Sequence, residues 1–126
     1  MYRVAIQRKF AARHYLTGSD RVAENQLHTH QYRLEAMVSG TELDHHGFLI
    51  DMDDLSSRLD KILSCYRDQI LNDLQPFAGL NPSIENLSGV IARDLLNEGV
   101  WPQASMLRIK IWENEEAWAS YDEGYT

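Results

Sequence analysis

The sequence predicts an α+β domain: a four-stranded antiparallel sheet with two helices on one face, in the order strand, strand, helix, helix, strand, strand. Three observations predict it. Two N-terminal segments alternate apolar and polar residues with period two, as half-buried strands do. Two central segments repeat apolar residues every three or four positions, as helices with one buried stripe do. Two short alternating segments close the chain. Strands followed by helices, rather than strictly alternating with them, point to an antiparallel sheet.

The first strand covers residues 2 to about 15. Its even positions run Tyr2, Val4, Ile6, Arg8, Phe10, Ala12, His14, and its odd positions run Arg3, Ala5, Gln7, Lys9, Ala11, Arg13. Residues 17 to 27 read as a polar loop. The second strand covers 28 to 39, with His28, His30, Tyr32, Leu34, Ala36 and Val38 on the more apolar side. Gly40 to Gly47 is a turn rich in Asp and His. Phe48-Leu49-Ile50 leads into a helix capped by Asp51 or Asp53, with a stripe running from Met52 through Leu59 and Ile62 to Tyr66 and Ile70. Pro76 to Pro82 is a connector. Asn81-Pro82-Ser83 starts a second helix with Ile84, Leu87, Ile91 and Leu95 on its inner face, and Gly99 and Pro102 end it. Met106 to Asn114 is a third strand, and Trp118 to Tyr121 a short fourth. Two helices cover only part of such a sheet, and open edges invite pairing. A homo-oligomer joined edge to edge is therefore expected.

The chain has 126 residues, enough for one core, and residues 1–126 read as one domain. Its hydrophobic fraction of 44% excludes general disorder. A net charge of −7 without any basic run excludes nucleic acid as the expected partner. No apolar run approaches the roughly 20 residues of a membrane helix. The N-terminus shows no signal-peptide architecture, and the single cysteine, Cys65, fits a reducing cytoplasm.

The histidines carry the chemistry. On a strand His28 and His30 point to the same side, roughly 6.5 to 7 Å apart at Cα. His14 shares the apolar face of the neighbouring strand. Three imidazoles converging from two strands make a three-nitrogen site that suits catalytic zinc, which keeps a fourth position for water or substrate. Glu113 continues the parity of Leu107, Ile109 and Ile111, so it ends an apolar face as either the partner of a buried cation or a ligand-binding carboxylate. Glu24 precedes His28 by four residues and is either a solvated loop residue or a proton carrier beside the metal. Glu85 complements the dipole of the second helix. Arg67 and Asp68 read as a surface ion pair, Cys65 as a small buried thiol, and His45 and His46 as exposed turn residues. Trp112 and Trp118 read as packing or interface residues.

Several segments together resemble one family. Phe10-Ala11-Ala12-Arg13-His14-Tyr15-Leu16 is similar to the F-x-A-x-H-x-L segment of the 6-pyruvoyltetrahydropterin and 6-carboxytetrahydropterin synthases. His28-Thr29-His30-Gln31-Tyr32 resembles their H-G-H-x-[YF], and Gly47-Phe48-Leu49-Ile50-Asp51 their G-x-[VL]-x-D. Leu71-Asn72-Asp73 resembles L-N-D, Asn81-Pro82-Ser83-Ile84-Glu85-Asn86 resembles N-P-T-x-E-N, and Ile111-Trp112-Glu113 resembles the strand that ends in a pterin-anchoring glutamate. The resemblance implies a T-fold assembled through its sheets into rings, a trimer or a dimer of trimers, with the pocket between subunits. It implies Zn²⁺ on His14, His28 and His30, and a reduced pterin held at its guanidine-like edge by Glu113.

Two departures redirect the expected reaction. The family's cysteine, four residues before H-G-H, is Glu24 here. Its L-D-H segment is replaced by Tyr66, Arg67 and Asp68. A subclass with glutamate at the cysteine position cleaves the side chain of dihydroneopterin or its triphosphate to give 6-hydroxymethyl-dihydropterin. By that resemblance Glu24 carries the proton; the subclass does not account for the lost L-D-H, for which Asp68 is the candidate replacement as a relay. The alternatives are the 6-pyruvoyl or 6-carboxytetrahydropterin synthase reaction and a zinc- and pterin-binding protein without turnover.

Overall fold

The computed structural model describes residues 1–18 and 25–125. Strand β1 spans Tyr2–His14 and β2 spans His28–Gly40. They pair antiparallel along their whole length, Tyr2 opposite Gly40 and His14 opposite His28. Helices α1 (Met52–Leu63) and α2 (Ile84–Asn97) follow, separated by two single 3₁₀ turns at Leu71–Asp73 and Gln75–Phe77. Strands β3 (Met106–Trp112) and β4 (Trp118–Gly124) complete a four-stranded antiparallel sheet of order β1-β2-β3-β4. This is the expected α+β architecture.

Parity fixes which face is covered. The register sets Val38 opposite Leu107, Ala36 opposite Ile109 and Leu34 opposite Ile111, and all six are fully buried. On the same face, Phe10 and Ala12 of β1 meet Tyr32 and His30 of β2. Leu55, Leu59 and Leu63 of α1 and Leu87, Ile91 and Leu95 of α2 close over this face in one core. Each such side chain contributes roughly 1.5–3 kcal/mol by leaving water. Helix α2 lies on β3 and β4, and α1 packs toward β1.

The helix starts follow their caps. The Asp51 carboxylate accepts from the Asp53 amide at 2.9 Å, so Asp51 is the cap of α1. Ser83 caps α2 by accepting from the Asn86 amide at 3.2 Å. His45 and His46 lie exposed in a turn closed by Asp44, which accepts from the His46 and Phe48 amides at 2.9 and 3.0 Å.

The stripe beyond Leu63 is not helical. Asp68 turns the chain with φ of 61°, its amide donates to the Ala11 carbonyl at 2.7 Å, and the Arg13 amide donates to the Gln69 carbonyl at 2.9 Å. The free edge of β1 thus recruits residues 68–70 and ends the helix early. Tyr66 remains buried, its hydroxyl bonded to Asp94. Arg67 donates to the Lys9 carbonyl at 3.1 Å instead of pairing with Asp68. Cys65 is exposed, not buried, because the chain has already left the helical path. Strand β3 stops at Trp112 and β4 runs on to Gly124. The extra length of β4 is polar, and Asp122 is held across the sheet by Arg108 at 2.6 Å.

The opposite sheet face carries Trp112 and Trp118 in packing roles. The Arg33 guanidinium lies 4.1 Å from the Trp112 ring centre, and Lys110 lies 3.9 Å from that of Trp118. Strand β2 pairs with β3 only from Arg33 onward. The ends of β1 and β2 that bear the histidines therefore overhang the rest of the sheet.

Candidate metal centre

The overhang brings the three histidines together. His14 and His28 are directly opposed across the β1–β2 ladder, and His30 sits beside them opposite Ala12. Their Nε2 atoms converge: His14 to His28 at 2.9 Å, and His28 to His30 at 3.1 Å. Among the described residues these three form the one group of donors spaced to share a metal ion.

The rings are set by backbone carbonyls. His14 Nδ1 lies 2.8 Å from the Pro82 carbonyl, and His28 Nδ1 lies 2.8 Å from the Gln26 carbonyl. A carbonyl only accepts, so both Nδ1 atoms carry hydrogen and both Nε2 atoms present lone pairs. Two such lone pairs 2.9 Å apart repel unless a cation lies among them. Zinc–nitrogen bonds of about 2.0–2.1 Å at tetrahedral angles put ligand nitrogens roughly 3.3 Å apart, close to the spacing here. Donor type, tautomer and spacing all fit zinc.

Electrostatics favour the neutral form of His14 and of His30. Burial holds His14 below the ordinary imidazole range, and the neighbouring His28 and His30 lower it further; the Pro82 carbonyl and the Glu113 charge offset part of this. Burial and His28 likewise lower His30. A metal site needs unprotonated imidazole, so the fold prepays part of that condition. Burial pushes the Tyr32 hydroxyl well above its usual range, and the charge of Glu113 adds to the effect.

Glu113 joins this end of the sheet. It follows β3 directly, and extending the β2–β3 register by one residue sets it opposite Tyr32. Its amide donates to the Ala117 carbonyl at 3.1 Å, and Asn114 ties the hairpin by accepting from the Glu116 and Ala117 amides, each at 2.8 Å. Its charge is felt at both Tyr32 and His14. Asp68 is placed differently. It is exposed beside the β1 edge, and no hydrogen bond or ion pair joins it to the triad among the described residues. Glu24 lies outside the described residues.

The side chains that meet His14 and the backbone just after it were given no role from sequence. Tyr32 brings its hydroxyl within 3.4 Å of His14 Nδ1. Asn72 pairs with both backbone groups of Tyr15, accepting from the amide at 3.0 Å and donating to the carbonyl at 2.9 Å. Asn81 grips Thr17 in the same way. Both asparagines fall in the L-N-D and N-P segments noted in the sequence, and asparagine readily mimics a backbone partner.

These features define a class: a T-fold domain with a three-histidine centre at the overhanging end of its sheet. The family model for 6-pyruvoyl tetrahydropterin synthase matches residues 3–124, and the chain belongs to that family of pterin enzymes. No curated protein matches it in sequence. Its fold is similar to that of a Caenorhabditis elegans 6-pyruvoyl tetrahydropterin synthase, at 19% identity and TM-score 0.78, with 98% of each chain covered. It is also similar to a Plasmodium vivax 6-pyruvoyltetrahydropterin synthase carrying a glutamate-to-alanine change at a catalytic residue, at 14% identity and TM-score 0.80, again with 98% of each chain covered. A dihydroneopterin aldolase from Burkholderia thailendensis, bound to guanine, is more distant: 9% identity and TM-score 0.54, with 99% of this chain and 92% of that one covered.

Proposed function

We propose that the chain is a zinc-dependent lyase that cleaves the side chain of a reduced pterin, dihydroneopterin or its triphosphate, to 6-hydroxymethyl-dihydropterin. The observation that carries this is the convergence of three histidine Nε2 atoms in a family of pterin enzymes, combined with glutamate at the position where the family has cysteine. The Plasmodium relative uses a glutamate as a catalytic residue, which supports a carboxylate in that role. The similarity of fold to a dihydroneopterin aldolase is in keeping with a lyase reading.

The chemistry balances without an oxidant. The C2′ hydroxyl gives its proton to a base, and the C1′–C2′ bond breaks to leave a two-carbon aldehyde fragment. The electron pair passes to C1′ and the conjugated ring, and C1′ then takes a proton. One carboxylate, Glu24, can carry the proton from the first position to the second. When bound at His14, His28 and His30, zinc supplies positive charge that polarises side-chain oxygens. Glu113 holds the ring by accepting from two adjacent N–H groups.

Residues 68–70 bond to β1 at Ala11 and Arg13, and among the described residues β1 and β4 have no strand on their outer edges. They run antiparallel, so β4 of one copy can extend the sheet of the next at its β1. A ring-like homo-oligomer, a trimer or a dimer of trimers, follows, and elution as a monomer would contradict it. In that arrangement Asp68, exposed beside the β1 edge, serves as a proton relay toward a neighbouring copy's site.

Glu113→Gln is expected to weaken pterin binding by roughly 10- to 100-fold, from loss of a charge-assisted pair, with zinc content unchanged. Isothermal titration with a non-reacting oxidised pterin measures it, and unaltered affinity removes Glu113 from the site. Product identity separates the proposed lyase from the other readings. A 6-pyruvoyl or 6-carboxy product marks the synthase reaction, and ligand binding without product marks a binding protein.

A further inference from the structure

Two asparagines outside the proposed chemistry are bonded to the backbone beside the triad. The Asn81 carboxamide grips Thr17 at both ends: Oδ1 accepts from the Thr17 amide and hydroxyl, each at 2.9 Å, and Nδ2 donates to the Thr17 carbonyl at 2.8 Å. One side chain thus does what a neighbouring strand would do. The Asn81 main-chain carbonyl in turn accepts from Asn86 Nδ2 at 2.9 Å. Asn86 is fixed in the first turn of α2, where Ser83 caps its amide.

Pro82 lies between these two attachments. It is buried, and its ring restricts the local backbone, so the residues flanking it set where its carbonyl points. That carbonyl is the acceptor for His14 Nδ1 at 2.8 Å. The Tyr32 hydroxyl waits 3.4 Å from the same nitrogen. If the Pro82 carbonyl withdraws, the tyrosine can donate to Nδ1 instead. The imidazole proton then moves to Nε2, and that nitrogen no longer offers a lone pair to a metal.

We propose that Asn81 and Asn86 form a bracket that places the Pro82 carbonyl, and through it sets the tautomer of His14 and the zinc affinity of the centre. The proposal rests on the three-histidine metal site. Both asparagines are positioning residues, since each is bonded to backbone and neither is a ligand. Asn72 provides a contrast within the same fold. It grips Tyr15 by an equivalent pair of bonds but does not hold Pro82.

The experiment uses full-length apo protein with zinc alone, titrated against a chromogenic chelator, together with ¹⁵N spectra of the His14 ring. In the unsubstituted protein His14 shows the Nδ1–H tautomer. Asn81→Ala and Asn86→Ala are expected to weaken zinc binding by roughly 10- to 100-fold and to give a His14 signal averaged between tautomers. Asn72→Ala is expected to leave the tautomer as it was. If Asn81→Ala does not fold, Asn86→Ala, which loses a single hydrogen bond, carries the test. An unshifted tautomer with unaltered zinc affinity in both bracket variants overturns the proposal. An equal shift in Asn72→Ala also overturns it, because general loosening would then be the cause. If the unsubstituted protein fails to bind zinc, the metal site itself is wrong, and that result is separable because the tautomer is read without metal.

Discussion

His28→Ala is expected to strip the protein of zinc. His28 stands between the other two ligands, with its Nε2 2.9 Å from that of His14 and 3.1 Å from that of His30. Its removal leaves two nitrogens where a closed set of three had been. Residues behind a metal ligand typically change affinity by 10- to 100-fold, so loss of a ligand is expected to exceed about 100-fold. Metal content after dialysis, measured by plasma mass spectrometry, reads the effect directly. His45→Ala and His46→Ala are the controls, because both residues sit exposed in the turn held by Asp44. The loss also appears in stability, since zinc at a hundredfold excess over its dissociation constant adds about 2.7 kcal/mol to the folded state. Full zinc occupancy in His28→Ala overturns the three-histidine centre.

Glu24→Ala is expected to abolish turnover and leave zinc and pterin bound. No proposed metal ligand or ring-binding group is touched by the change. General acid–base groups contribute about 10²- to 10⁴-fold, and a residue that carries the proton both from C2′ and to C1′ belongs at the upper end. Single-turnover rates with metal content measured on the same sample separate chemistry from binding. Turnover that survives the substitution assigns the proton to another group.

Much of this arrangement was legible in the sequence, for periodic reasons. Half-buried strands expose alternate side chains, so β1 and β2 were bounded closely, and His14, His28 and His30 fell on one face by parity alone. Glu113 was placed at this end of the sheet in the same way, as the next odd position after Leu107, Ile109 and Ile111. The errors lie where tertiary contacts override local pattern. The α1 stripe continued through Tyr66 and Ile70 because both pack inward or partly inward, yet the chain there answers to the edge of β1. Asp122 and Glu123 hid the end of β4, because Asp122 is paired by Arg108 of the adjacent strand and Glu123 accepts from the Tyr121 hydroxyl. The bonds that orient the centre were beyond reach: His14 meets a carbonyl 68 residues away, and Thr17 meets an asparagine 64 residues away. No local pattern encodes such separations.

The most direct test of the account is product analysis. Zinc-loaded protein is incubated anaerobically with dihydroneopterin, and separately with its triphosphate, and the products are identified by mass spectrometry. The expected product is 6-hydroxymethyl-dihydropterin with the matching two-carbon fragment, lost on chelation of the metal and in Glu24→Ala. A 6-pyruvoyl or 6-carboxy product, or no product from either compound despite bound zinc, contradicts it.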